Sequence, residues 1–247
     1  MKKTLSVWML LVRSTLYPLL GLWALVAGAQ ALLFSRALKV AALPTQIGEQ
    51  RAMYGVVDGS HLSLVFVLGL VATAMVLALI PWQKGADYTL ARLRVGPKKI
   101  YFCRVGHAAL CYLLYWAVQA LTLLAFYQWF ASALPDRCTS QSFFMACWHS
   151  DLLHGLFPLQ HLAVWAKNLL LMLALAAFTA RMPRGDTEKS GSRFPKVLLG
   201  AALLAGWAFL GRLGRSDSGP WVIAFCALLV GLGAGYLALQ KEEADEN

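Results

Sequence analysis

The chain has 247 residues, of which 59% are hydrophobic and 14% are charged, and its formal net charge is +10. An average soluble domain carries about a quarter charged residues, so this composition excludes an ordinary soluble protein and favours a membrane protein. The lysines and arginines flank apolar segments without interleaved exposed aromatic residues, so their excess indicates contact with anionic lipid and not with nucleic acid.

Six segments are long and apolar enough to predict membrane-spanning helices. A span needs roughly 20 mainly apolar residues, because the hydrocarbon core is about 30 Å thick and each helical residue rises about 1.5 Å. The alternation expected of barrel strands is absent from these segments, so the fold class is an all-α membrane protein, a six-transmembrane-helix bundle. The predicted spans are residues 15–35, 62–82, 108–130, 161–180, 197–211 and 221–239.

The domain organisation is simple. Residues 1–239 form a single transmembrane domain, and residues 240–247 form an acidic cytoplasmic tail. The amino terminus has two interpretations. Lys2 and Lys3, followed by an apolar run that leads to small residues at 27–29, resemble a signal peptide. Because Arg13 interrupts the apolar run, we favour an uncleaved first span, with residues 4–12 lying along the inner interface.

The basic residues predict the orientation, because cytoplasmic loops carry an excess of lysine and arginine. With both termini in the cytoplasm, 15 of the 22 basic residues face the inside, six face the outside, and Lys167 lies within a span. The inner set is Lys2, Lys3, Arg13, Lys84, Arg92, Arg94, Lys98, Lys99, Arg104, Arg181, Arg184, Lys189, Arg193, Lys196 and Lys241. The outer set is Arg36, Lys39, Arg51, Arg137, Arg212 and Arg215.

The inner loop between spans 2 and 3 is predicted to contain a short helix at residues 87–95. Asp87 is a suitable N-cap, and the Gly96-Pro97 pair is a helix terminator. A helix of about two turns is marginal in water, so it is expected to dock on another surface. A simple interfacial linker is the alternative interpretation.

This loop also carries a resemblance to a known family. It reads Thr89-Leu90-Ala91-Arg92-Leu93-Arg94-Val95-Gly96-Pro97. The segment resembles the loop after the second span in permease subunits of type-2 ABC exporters, where a Gly-Thr-Leu-Glu-x-Leu-x-Val-x-Pro pattern is common. In that family the loop forms a coupling helix that rests in a cleft of the ATP-binding subunit. Six spans with both termini inside is that family's topology as well.

The resemblance implies a transport subunit without its own ATPase site, and therefore not an enzyme. The chain has no phosphate-binding Gly-x-x-x-x-Gly-Lys-Ser/Thr loop, so ATP and Mg²⁺ are expected on a partner ABC ATPase subunit. A second permease subunit, identical or related, would complete the pathway in a bacterial inner membrane, and the substrate would be small and amphiphilic, peptide or lipid-like. The ATPase-coupling residues would be Asp87, Tyr88, Thr89, Leu90, Arg92, Leu93 and Arg94.

Polar residues within the spans are the next candidates, because polar groups in a bilayer are costly. Lys167 and Asn168 lie about two turns into span 4, and Lys167 is expected to extend to the outer interface, with a substrate contact as the alternative. Gln119 is expected to bond a neighbouring helix. Gly231 and Gly235 would allow close packing of span 6, either within the subunit or between subunits.

The outer loop at residues 131–160 supports a rival function. Cys138 and Cys147 face an oxidising compartment and are candidates for a disulfide. With the loop histidines they would suit a redox- or metal-binding membrane protein that holds zinc or haem, although the spacing matches no established metal signature. A non-transporting membrane scaffold is the third hypothesis. No metal ligand is assigned from the sequence.

Overall fold

The computed structural model describes residues 2–43, 52–83, 96–139, 141–159, 162–180 and 193–211, together with Phe225 and Leu229. Within these residues the regular elements are helices, and there is no strand. They are α1 (Lys2–Ala41), α2 (Met53–Gly59), α3 (Leu62–Gln83), α4 (Pro97–Ala133), a 3₁₀ turn (Pro135–Arg137), α5 (Ser142–His149), α6 (Asp151–Leu156), α7 (Leu162–Ala180) and α8 (Arg193–Leu210).

Four of these helices are long and apolar enough to cross a membrane, which confirms the prediction of an all-α, multi-pass membrane protein. Their apolar stretches are Leu5–Ala41, Leu62–Ile80, Lys98–Ala133 and Leu162–Ala180, and α8 contributes a shorter one, Lys196–Leu210. The predicted span 6, with Gly231 and Gly235, lies outside the described residues except for Phe225 and Leu229. The count of six spans and the orientation therefore remain predictions, and the acidic tail lies outside the described part as well.

Two predicted boundaries are wrong, because α1 and α4 each begin earlier than their apolar cores. α1 is continuous from Lys2, so residues 4–12 are not a separate interfacial segment. α4 begins at Pro97 instead of residue 108, with Gly96 as its N-cap. The Gly96-Pro97 pair therefore starts a helix, because proline at the first helical position has no amide hydrogen to leave unpaired.

Five helices form a closed ring. α1 contacts α3 and α4, α3 contacts α8, α8 contacts α7, and α7 contacts α4. α1 and α4 run parallel and in register, because three contacting pairs along their length share one sequence separation of 92 residues. These pairs are Thr15 with His107, Trp23 with Tyr115, and Phe34 with Phe126.

Aromatic side chains fill the interior of the ring at one level. The Phe66 ring lies 5.6 Å from the Tyr115 ring and 5.2 Å from the Phe209 ring, measured between centroids. Trp116 meets Phe209 edge to face at 5.5 Å, and Trp23 lies 6.2 Å from Tyr115. These five buried residues, from α1, α3, α4 and α8, are called the aromatic cluster below.

α3, α7 and α8 all lie alongside the same segment of α4. At one end the Tyr101 hydroxyl donates to the Ala177 carbonyl of α7, 3.3 Å away. Near the other end, Trp116 stacks on Trp165 of α7 at 5.1 Å. With one further turn beyond Trp165, the shared length is roughly 20 residues of α4, or about 30 Å, which is the thickness of a hydrocarbon core. We call this region the membrane layer.

α1 and α4 continue together past the membrane layer. From about Gln30 and Gln119 onwards, they run roughly 13 residues farther, or about 20 Å at 1.5 Å per residue. This paired extension contains the stacked Phe34 and Phe126 rings, 4.7 Å apart. At its tip the Arg137 guanidinium donates to the Ala41 carbonyl across 2.7 Å. Four charged residues lie on α1 or just beyond α4 at this end: Arg36, Lys39, Asp136 and Arg137.

Short helices cover the ring beside this extension. The Trp116 indole N–H donates to the Leu156 carbonyl at the end of α6, 3.3 Å away, so α6 closes the ring at the edge of the membrane layer. α5 and α2 are joined by stacking of His149 on Tyr54 at 4.8 Å. The segment predicted as an outer loop is therefore largely helical and packed.

The close contact of α3 with α4 gives a test of this packing. A Cβ on Gly69 would overlap the Tyr115 hydroxyl, which is held in place because it donates to the Phe66 carbonyl across 2.8 Å. We expect Gly69→Ala to lower the unfolding free energy by about 1–3 kcal/mol through overpacking. The measurement is thermal unfolding in detergent. Gly21→Ala is the matched control, because no atom of the described residues lies within 4 Å of its added Cβ. Equal melting temperatures for the two variants would contradict the packing.

Candidate functional site

Buried polar side chains link the helices inside the bundle, and they are the candidate functional groups of the described part. Each of these side chains lies between two helices, and less than one tenth of its surface is exposed. The membrane-layer members are Thr15, Gln30, Thr73, His107, Gln119, Lys167, Asn168 and Thr179.

Lys167 is buried against the end of α8, and its extension to the outer interface stays a prediction. Its side chain is 3% exposed, and its ammonium donates to the Ala208 carbonyl at 2.9 Å and the Phe209 carbonyl at 3.4 Å. These carbonyls belong to the last turn of α8, which has no further helical amides to pair with and carries partial negative charge. The lysine is therefore a cationic cap that fastens α7 to α8.

Asn168 fastens α7 to α6. Its amide nitrogen donates to the Gly155 carbonyl across 2.8 Å. A side chain at Gly155 would meet the Phe209 carbonyl at 3.1 Å, so α6 and α8 are in close backbone contact here. Lys167 and Asn168 are neighbours that together hold three elements at the edge of the membrane layer. This arrangement positions helices, and the Asn168 Oδ1 atom is buried without a hydrogen-bond partner within the described residues.

Gln119 bonds a neighbouring helix. The Gln30 amide of α1 donates to the Gln119 side-chain oxygen of α4 at 2.7 Å, and both side chains are buried. One acceptor, Gln30 Oε1, and one donor, Gln119 Nε2, have no hydrogen-bond partner within the described residues. Because buried polar groups are nearly always paired, this pair is the least satisfied of the helix contacts.

His107 is a site residue that the sequence prediction missed. Its Nε2 lies 2.9 Å from the Thr15 hydroxyl, and Trp8 meets its ring edge to face at 5.7 Å. The Thr15 hydroxyl has one hydrogen, and it also lies 3.0 Å from the Leu11 carbonyl, to which it donates. This arrangement favours a ring proton on Nε2 that is donated to Thr15. The third span was predicted to start at residue 108, so His107 lay outside it. His107 was therefore not recognised as a polar residue within a span.

The outer cysteines are not joined. Cys138 and Cys147 are both free thiols, and burial raises the pKa of both, that of Cys147 to about 12. Cys147 lines a shallow groove together with His154, but no group of three histidine, cysteine, aspartate or glutamate side chains in the described ranges is placed to hold a metal ion. The residues proposed to couple to an ATPase, Asp87 to Arg94, lie outside the described residues.

No protein-family model, curated protein or solved structure matches this chain. The functional argument therefore depends on the residues and the geometry above.

The glutamine pair predicts an asymmetric response to mutation. Gln119→Leu alone leaves the Gln30 amide buried without its partner, whereas Gln30→Leu with Gln119→Leu removes both polar groups. We expect the single variant to be less stable than the double variant, because an unpaired buried amide is more destabilising than the net loss of one hydrogen bond.

The coupling free energy is expected to be about 0.6 kcal/mol and at most about 1.7 kcal/mol, the range of hydrogen bonds between membrane helices. A double-mutant cycle on thermal unfolding measures it. Additive effects of the two substitutions would contradict the contact.

The two outer thiols should differ in reactivity. Cys138 is half-buried and Cys147 is buried with a pKa of about 12, so Cys147 remains a protonated thiol well above neutral pH. We expect a membrane-impermeant maleimide to modify Cys138 first, with peptide mass spectrometry as the measurement. Cys138→Ser should then remove the rapid phase, and preferential labelling of Cys147 would contradict the burial.

Proposed function

We propose that the chain is the transmembrane permease subunit of an ATP-driven ABC exporter. Residues 89–97 carry the resemblance to a coupling helix, and they belong to the segment between α3, which ends at Gln83, and α4. α4 is one helix from Pro97 to Ala133, with no proline after its first position. This continuity is the observation that carries the proposal, because a displacement at its first turn moves the whole helix.

The contacts of α4 give that displacement a route into the bundle. α4 is bonded to α1 through His107 and Gln119, and to α7 through the Tyr112 hydroxyl, 2.8 Å from the Thr179 hydroxyl. A partner ATPase that closes on ATP and Mg²⁺ would push on residues 87–95, and α4 would carry α1 and α7 with it. These polar contacts are directional, so they resist sliding of one helix along another.

The filled ring supports a pathway beside the subunit. The aromatic cluster occupies the interior with side chains that include the fully buried Phe66 and Tyr115. A solute would therefore cross between this subunit and a second permease copy, along outward faces that expose leucines of α1 and α4, such as Leu25 and Leu114. Such apolar faces suit an amphiphilic, peptide or lipid-like substrate.

The charge distribution supports an orientation with both termini in the cytoplasm of a bacterial inner membrane. Arg13, Lys98, Lys99 and Lys196 are exposed at the end of the bundle where α4 begins. This end belongs to the side that carries 15 of the basic residues. The positive-inside rule assigns that side to the cytoplasm, where an ATPase subunit would dock.

The proposal is tested by uncoupling the subunit from its partner. We expect Leu90→Asp with Leu93→Asp to abolish co-purification of a nucleotide-binding ATPase from native membranes, because two carboxylates would have to be buried in an apolar cleft. The measurement is mass spectrometry of the purified complex together with its ATPase activity. Val40→Asp is the control, since Val40 is exposed at the tip of the paired extension.

The proposal would be overturned if no ATPase co-purified with the wild-type chain. It would also be overturned if the variant at Leu90 and Leu93 retained as much ATPase as the wild-type chain. A redox- or metal-binding membrane protein and a non-transporting membrane scaffold would then be the remaining interpretations.

A further inference from the structure

α5 and the segment that follows α6 lie at the edge of the membrane layer. The Trp165 indole in the first turn of α7 donates to the Pro158 carbonyl across 2.9 Å, which places residues 157–159 at the level where α7 enters the layer. Phe143 of α5 meets Phe157 edge to face at 5.5 Å. It also meets Tyr127 of α4 at 5.1 Å. α5 therefore lies between the edge of the layer and the lower part of the paired extension.

The inward side of α5 is fixed by the protein. Ala146 and Cys147 are buried, and His149 stacks on Tyr54 of α2. The Ser150 hydroxyl that follows α5 donates to the Asp58 carboxylate across 2.7 Å. These contacts determine which face of α5 points outward.

The outward side of α5 is apolar. Phe144, Met145 and Trp148 are 42%, 46% and 47% exposed. Residues 138–150 contain no lysine, arginine, aspartate or glutamate. The same surface continues into Leu159 and into Leu162, which is 85% exposed at the start of membrane-crossing α7. Exposed apolar side chains therefore lie on α5, at Leu159 and at the start of the membrane-crossing helix α7.

A shallow groove crosses this surface. Its walls are the side chains of Phe144, Cys147, Trp148, His154, Phe157 and Leu159. Five of the six are apolar, and the Cys147 thiol stays uncharged because burial raises its pKa to about 12. The groove is shallow, so a lipid chain would contact the exposed aromatic side chains around it and would not fill it.

We propose that α5 lies in the headgroup region of the membrane, with its exposed side chains Phe144, Met145 and Trp148 against phospholipid chains. The headgroup regions extend several ångströms beyond the hydrocarbon on each side, which is the depth of α5. A helix that presents tryptophan and phenylalanine to this region inserts them at the boundary between headgroups and chains. Lipid contact of α5 would then anchor the end of the bundle from which the paired extension projects. The proposal does not depend on the function of the bundle.

Photo-crosslinking tests the proposal. The full chain, with the photoreactive residue p-benzoylphenylalanine in place of Met145, is reconstituted into vesicles of phosphatidylethanolamine and phosphatidylglycerol and irradiated. We expect a phospholipid adduct as the main product by mass spectrometry. The matched control carries the same residue in place of Lys39, which is exposed in the extension at roughly nine residues, or about 13 Å, beyond Gln30. We expect loss of the lipid adduct there.

The outcomes distinguish the occupants of the surface. An adduct of Met145 with another protein, or a failure of this position to capture lipid, overturns the proposal. Equal lipid capture at the Lys39 position also overturns it, because the extension would then lie within the bilayer. Brominated phospholipids give a second readout without a bulky substitution. They should quench the wild-type tryptophan fluorescence more than that of Trp148→Phe, and equal quenching of the two proteins would contradict the insertion of Trp148.

Discussion

The in-register pairing of α1 with α4 is the contact on which the rest of the structure depends. The two helices are the longest of the described part, at 40 and 37 residues. They run parallel, and α3 lies between them in the sequence. Parallel neighbours cannot be joined by a short loop, so α3 must return the chain to the starting end before α4 begins. The ring follows from this arrangement. α3 packs against α1, α7 packs against α4, and α8 lies between α3 and α7.

Polar side chains determine the register of this pairing. In an apolar medium leucine gains little by facing another helix, so helix association depends on close packing and on hydrogen bonds. The Thr15–His107 and Gln30–Gln119 contacts supply two such bonds, and the stacked rings of Phe34 and Phe126 add a third fixed point. A shift of α4 by one turn would leave all of these groups unpaired within the bilayer or at its edge. The polar residues of the spans therefore specify the packing, and none of them has to contact a solute.

The membrane layer and the paired extension divide the molecule into two environments. α3, α7 and α8 end where the layer ends, and the charged side chains Arg36 and Lys39 follow on the extension. Lys167 is buried inside the layer, and the last carbonyls of α8 stabilise it. α6 and α5 close the ring at the boundary, through the contact of Trp116 with Leu156 and of Phe143 with Phe157.

The sequence by itself indicated a membrane environment and the positions of the long apolar helices. Apolar length predicted α3 and α7 to within two residues at each end, because the bilayer thickness sets the number of residues in a span. It did not determine how far α1 and α4 continue, since their ends are stabilised by each other through residues such as Trp8 and His107, which are distant in the chain. Only the tertiary structure decided the role of Lys167, because its acceptor carbonyls lie on another helix and the sequence around the lysine contains no trace of them. The same reason applies to the helical covering of residues 135–156, which forms on the surface that the assembled ring provides.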